Sequence, residues 1–158
     1  MRRKRKKMNL FDEFKSLIKD LNDNNLKYAI VGAVAMAFYT EPRFTRDIDI
    51  LIDIEDFAKA KMVLESRGYF ESASPWMFQN VAIELHRFLK TSDEDEMFID
   101  ILIPKEEEVR RIIGNAVEAE SSEGSAFIVS KDDLIWLKRK RNSKQDQADI
   151  EKLENEKI

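Results

Sequence analysis

The run RDIDILIDI, from Arg46 to Ile54, constrains the fold of this chain more than any other stretch. Side chains on a strand alternate between its two faces, so Ile48, Ile50, Ile52 and Ile54 share one face while Asp47, Asp49, Leu51 and Asp53 share the other. The isoleucine face demands an apolar layer over it, which makes the strand part of a covered sheet. Asp47 and Asp49 then stand roughly 6–7 Å apart on the same side. Carboxylates at that spacing can share a hard cation such as magnesium, which takes one or two carboxylates together with phosphate oxygens and water. They can equally decorate the solvent face of a half-buried sheet, the commoner meaning of polar alternation. Spacing leaves both readings open.

The flanking sequence supplies the partners of this strand. From Asn9 to Leu21, Leu10, Phe11, Phe14, Leu17, Ile18 and Leu21 recur at spacings of three and four, as on one helix face. NDNN ends that helix, KYAIVG from Lys27 to Gly32 reads as a short buried strand, and the small residues from Ala33 to Phe38 suit a helix after the Gly32 turn. Asp56 to Arg67 is helical in composition, Gly68 turns the chain, and two or three short strands are expected between Tyr69 and Phe88, the clearest being VAIELHRF. The acidic run TSDEDE is expected as a loop before the strand MFIDILIP, which stops at Pro104.

Beyond it, Lys105 to Ile113 has helical composition, with Gly114 at the place of a C-cap. Ser130, with Asp133 three residues on, resembles a capping box opening SKDDLIWLKRKR, and a last helix is expected from Ser143 towards Leu153. This succession predicts an α/β (α+β) fold, a mixed sheet with flanking helices and a helical C-terminal section. The expected organisation is a basic disordered lead-in over residues 1–8 and one domain over 9–158, with its core at about 27–104 and the helical section at about 105–158.

Asp100 stands alone among apolar residues in FIDILIP, with Phe98 and Leu102 on its own face. An unpaired carboxylate there would be costly to bury, so a metal, an arginine or an opening must compensate it. A neighbouring strand carrying Asp47 and Asp49 could supply the metal.

Composition narrows the chemistry. The chain has no cysteine, which excludes disulfides, thiolate nucleophiles and cysteine-ligated zinc and fits a cytoplasmic protein. A formal net charge of -4 excludes bulk attraction to nucleic acid, so an anionic partner must be met by a local patch. The basic start MRRKRKK runs into the charged amphipathic stretch MNLFDEFKSLIKDL, without the apolar core of a conventional signal peptide or a membrane-length span.

The segment YAIVGAVAMAFYTEPRFTRDIDILID resembles the nucleotidyltransferase superfamily of polymerase-β-type fold, especially the minimal proteins and AbiEii-like toxins. The resemblance is carried by Gly32-Ala33, by Arg43, Thr45 and Arg46, by Asp47-Ile48-Asp49, and by Asp100 on a later strand; Lys138, Arg141, Lys144 and Asp146 match the C-terminal pattern. It implies transfer of a nucleoside monophosphate from an NTP to an acceptor, with loss of pyrophosphate. Asp47, Asp49 and Asp100 would then hold two Mg2+ or Mn2+ ions and carry the catalysis. Gly32 and Ala33 would admit the phosphates to the following helix N-terminus. The toxin-like resemblance makes tRNA or another RNA the first acceptor to try and a cognate antitoxin or other partner protein an expected companion. An antibiotic-modifying enzyme, usually larger by a further domain, and a catalytically silent relative are the alternatives.

This sequence departs from the pattern at Ala33, where Gly or Ser is usual and Ser would donate a hydroxyl, and at Thr40, often glycine. Arg43 and Arg46 could fork onto phosphates or neutralise the carboxylates. Thr45 could orient a metal-bound water or satisfy the backbone at the strand start. Lys138, in the run KRKR, could bind phosphate or belong to a solvated face. His86 is expected to be structural, and Trp76 and Trp136 to be packing residues.

Overall fold

The computed structural model describes residues 9–41, 45–93, 95–122 and 124–155. The lead-in expected over residues 1–8 lies outside them.

The aspartate-bearing segment forms β2 (Asp47–Ile52) near the middle of a mixed sheet. It pairs antiparallel with β1 (Tyr28–Val31) and parallel with β6 (Asp95–Pro104). β6 forms a long hairpin with β5 (Ile83–Ser92), whose far edge carries the short strands β3 (Phe70–Glu71) and β4 (Trp76–Met77). On the other side β1 meets β8 (Gly124–Ile128) in parallel, and β8 pairs with β7 (Val117–Ser121). The mixed α/β architecture is the one the sequence predicts.

Among the described residues six helices complete the order: α1 (Leu10–Asp23), α2 (Gly32–Tyr39), α3 (Ile54–Ser66), α4 (Glu107–Gly114), α5 (Lys131–Arg141) and α6 (Lys144–Asn155). Asn9 caps α1, its Oδ1 accepting from the amides of Phe11 and Asp12. Ser130 caps α5 by accepting from Asp133 N at 3.1 Å. Ile48, Ile50 and Ile52 are fully buried beside Tyr28, Leu17, Leu21, Ile99 and Ile101. At roughly 1.5–3 kcal/mol for each large apolar side chain buried, this layer dominates the stabilisation of the fold.

Three expectations need correction. The acidic run does not form a loop, because β5 and β6 continue to Ser92 and Asp95; Asp93 turns the chain with φ 54°, a left-handed conformation that aspartate tolerates. Ile54 leaves the strand's buried face, begins α3 and is half exposed. The section after residue 105 is not wholly helical: the β7–β8 hairpin extends the sheet through the Ile30↔Ile128 pairing. Asn22 Nδ2 holds this hairpin by donating to Ser125 O at 2.7 Å, and Phe127 packs edge-on against Tyr28.

Candidate active site

The parallel register of β2 and β6 sets Asp49 directly beside Asp100 and Asp47 beside Phe98. Paired residues on neighbouring strands project to the same face, so Asp47, Asp49 and Asp100 form one carboxylate cluster. Asp100 is buried, while Asp47 and Asp49 remain partly exposed. β1 brings Gly32 to the same place, since Val31 pairs with Asp49 and the next residue opens α2. Gly32 has φ +67°, and a Cβ there would lie 2.9 Å from Asp49 Cγ and overlap a carboxylate oxygen. Only glycine meets both demands. The residue before α2 is Val31, whose side chain cannot cap the helix and leaves its first-turn amides without the usual N-cap acceptor.

Arg87, on β5 opposite Asp100, is the cation paired directly with this cluster among the described residues. Its Nε donates to Asp100 Oδ1 at 2.8 Å and its Nη2 to Asp100 Oδ2 at 2.9 Å. The guanidinium carbon also lies 5.5 Å from the centre of the Trp76 ring and 5.1 Å from that of Phe98. Among the described residues, Arg87 and the more distant Arg141 do not offset three clustered carboxylates. Burial, the charge and hydrogen bond of Asp100, and the charge of Asp47 push the Asp49 carboxyl up to about 7. Burial first and the Asp100 charge second also raise Asp47, against the opposing pull of Arg87.

These groups share a cavity of about 310 Å³. Beyond these charged groups and Gly32, apolar side chains line it, with Trp76, Phe78, Val81, Ile83 and Leu85 on the β4–β5 side and Leu134 and Leu137 on α5. Lys138 and Arg141 also reach it. Lys138 is buried, and its Nζ donates to Asp149 Oδ2 at 2.8 Å with Asp146 Oδ1 at 3.8 Å, so its charge is matched within the α5–α6 pair. Arg141 is more exposed; its Nε is 3.9 Å from Asp146 and its guanidinium lies 6.0 Å from the Phe78 ring.

Among the other residues singled out in the sequence, Arg43 lies outside the described residues. Thr45 Oγ1 accepts from Asp47 N at 3.1 Å, the backbone role at the strand start. Arg46 turns to Asp95, at 2.5 Å, and does not line the cavity. Ala33 follows Gly32 in the first turn of α2 without lining the cavity. Asp146 and Ser143 cap α6 reciprocally, through Ser143 N to Asp146 Oδ2 and Asp146 N to Ser143 Oγ. His86 points away from Arg87 and sits between Glu84 and Glu71, a structural setting.

Arg87 and Asp149 escape the sequence reading. Arg87 follows once Ser92 is known to pair with Asp95, because that register runs back to Arg87 and Asp100.

Among the described residues, no set of three His, Asp or Glu side chains is arranged as a ready metal cage, and both oxygens of Asp100 are engaged by Arg87. The donor chemistry nevertheless fits a hard divalent cation: carboxylate oxygens, an excess of negative charge, and an open cavity. Asp47 and Asp49 could hold such an ion directly, and Asp100 could join them when its guanidinium partner moves.

No family model matches the chain, and no curated protein matches it in sequence. Solved structures do. LnuA, a lincosamide antibiotic adenylyltransferase bound to lincomycin, superposes with a TM-score of 0.63 at 16% identity, over 95% of this chain and 99% of that one. A candidate nucleotidyltransferase from Thermotoga maritima gives 0.63 at 14% identity, over 96% and 98%. ANT(2'')-Ia in complex with adenylyl-2''-tobramycin gives 0.53 at 14%, over 90% and 86%. At these identities the likeness concerns architecture, and the chain has the nucleotidyltransferase-type fold.

Proposed function

We propose that this protein is a metal-dependent nucleotidyltransferase that moves a nucleoside monophosphate from an NTP to a hydroxyl of a small acceptor molecule. The observation that carries this reading is the meeting of Asp47, Asp49 and Asp100 beside Gly32 and a helix start that Val31 leaves without a side-chain cap, lining one cavity with an aromatic and aliphatic wall.

The first-turn amides of α2 and the Gly32 backbone bind the triphosphate, where Gly32 permits close approach and the helix terminus favours negative charge. Asp47 and Asp49 would hold Mg2+ or Mn2+ against the phosphates, with Asp100 completing a site for a second ion. When bound, the ions supply Lewis-acid stabilisation of the charge developing at phosphorus and on the leaving group. The acceptor oxygen forms a bond to the α-phosphorus, the bond from that phosphorus to the bridging oxygen breaks, and pyrophosphate leaves. Asp100, facing the cavity, takes the hydroxyl proton.

Two observations favour a small acceptor over the tRNA suggested by the toxin-like resemblance. The lysine of the basic run that reaches the cavity, Lys138, is buried and paired to Asp149. The cavity wall beside Asp100 is aromatic and aliphatic, which suits a compact apolar body better than a polyanion. LnuA supports this choice, because its structure holds lincomycin and matches this fold over 95% of this chain and 99% of that one.

The test is incubation with each labelled triphosphate and Mg2+ or Mn2+, against hydroxylated small molecules in one arm and total RNA in the other, beside Asp47→Ala/Asp49→Ala. Label on a small molecule, lost in the variant, is expected. Label on RNA instead would overturn the acceptor assignment, and absence of both triphosphate binding and metal-dependent transfer would overturn the enzyme reading.

A further inference from the structure

The geometry points to Arg87 as an exchangeable counter-cation: it holds Asp100 in the nucleotide-free protein, and it passes to the triphosphate when a divalent ion claims the carboxylates. This inference rests on the proposed function, since it concerns the same site.

Arg87 engages both oxygens of Asp100 in a parallel two-point grip, the strongest form of this pair. A divalent ion bound to Asp100 would meet the guanidinium at contact distance, and like charges so close repel strongly in a partly buried site. The two cations therefore compete for one carboxylate. Arg87 has somewhere to go, because its side chain lines the cavity that also holds Gly32, Asp47 and Asp49, and it is about a third exposed. Its present position between the Trp76 and Phe98 rings is reinforced by cation–π attraction. Trp76 belongs to the two-residue strand β4 at the sheet edge and is itself partly exposed. The resting arrangement thus prevents a naked acidic cluster, and the same guanidinium offers the incoming polyphosphate a planar two-point donor.

The experiment measures Mn2+ affinity by electron paramagnetic resonance of the free ion, without nucleotide, in wild type, Arg87→Gln, Arg87→Lys and Arg141→Gln. Affinity for a non-transferable ATP analogue is measured separately in Mg2+. Arg87→Gln is expected to bind Mn2+ about tenfold more tightly and the Mg2+-bound analogue about tenfold more weakly. Arg87→Lys keeps a charge without the fork and falls between the two. Arg141→Gln also removes a cation near the acids but leaves Asp100 free of change, so its Mn2+ affinity moves less than threefold, by the same scale.

Unchanged or weaker Mn2+ binding by Arg87→Gln would overturn the competition, and unchanged analogue binding would overturn the transfer to phosphate. Should Arg87→Gln fail to fold, Trp136→Phe protein isolates Trp76: saturation with Mg2+ and the analogue should change its fluorescence as the guanidinium leaves the ring, and no change overturns the proposal. None of these readouts requires turnover. Label transfer with unaltered binding in Arg87→Gln would sink only the exchange, whereas the expected binding pattern without transfer would sink only the enzyme reading.

Discussion

Two ionic clusters in this molecule use the same residue types to opposite ends. Between α1 and the end of α3, Arg67 donates to Asp20 at 2.7 Å, to Ser16 at 2.9 Å and to Glu13 at 3.1 Å, while Tyr69 also donates to Glu13 at 2.9 Å. Burial works to raise the Glu13 carboxyl, but Tyr69, Arg67 and Lys90 outweigh it and hold the group below its ordinary value. Around Asp100, among the described residues, Arg87 and the more distant Arg141 face three carboxylates, and Asp49 is pushed up to about 7. The first cluster is balanced and fastens one helix to another. The second retains unbalanced negative charge, which stabilises nothing in the isolated protein and is available to a ligand.

Breaking the balanced cluster should have the largest effect on stability. Arg67→Ala leaves Glu13 and Asp20 without their main partner and should cost about 2–3 kcal/mol, less than a fully buried pair because Asp20 is partly exposed. Chemical denaturation at pH 7 checks this, and nucleotide binding by the folded fraction should be unchanged.

The opposite sign is expected in the acidic cluster. Asp49 has a folded-state pKa above its unfolded value of 3.8, so the native state binds more protons between about pH 4 and 7 and stability falls across that interval as pH rises. Asp49→Asn removes the effect and should stabilise the protein at pH 8 by roughly 1–3 kcal/mol, while abolishing metal binding. Denaturation series at pH 5 and pH 8 test this; equal destabilisation at both would show that Asp49 is a structural carboxylate. The Glu13 cluster runs the other way, since its stabilisation is present above pH 4.5 and is lost as pH falls through the lowered folded value. Mg2+ should therefore raise the melting temperature more at pH 8 than at pH 6, because an ion on Asp49 must displace its proton.

The smallest effect belongs to a site in neither cluster. Ser130→Ala removes the α5 cap and should cost about 1 kcal/mol, or about 2–4 °C in melting temperature. A larger loss would show that α5 positions the cavity wall more tightly than its cap alone implies.

Much of the fold was readable because period-two alternation and helix caps are local. RDIDILIDI, Asn9 and Ser130 announce their elements without reference to distant residues. The β7–β8 hairpin was not readable: VEAES is exposed at four of its five positions and offers only Val117 and Ala119 as a short apolar alternation, and its place depends on pairing with β1 about a hundred residues away. The acidic run TSDEDE has the composition of a loop, yet it continues a hairpin whose register decides the site. Lys138 illustrates the same limit, since a lysine in KRKR reads as solvated until α6 folds Asp149 against it.

Asp47 and Asp49 share a face because strand geometry alternates, and that much was in the sequence. Gly32 likewise announced a turn. That Asp100 stands beside Asp49, that a Cβ at residue 32 would collide with a carboxylate, and that Arg87 holds Asp100 were decided only in three dimensions. The reason is physical: alternation is a property of neighbouring peptide units, whereas charge balance depends on which strands lie side by side and in which register.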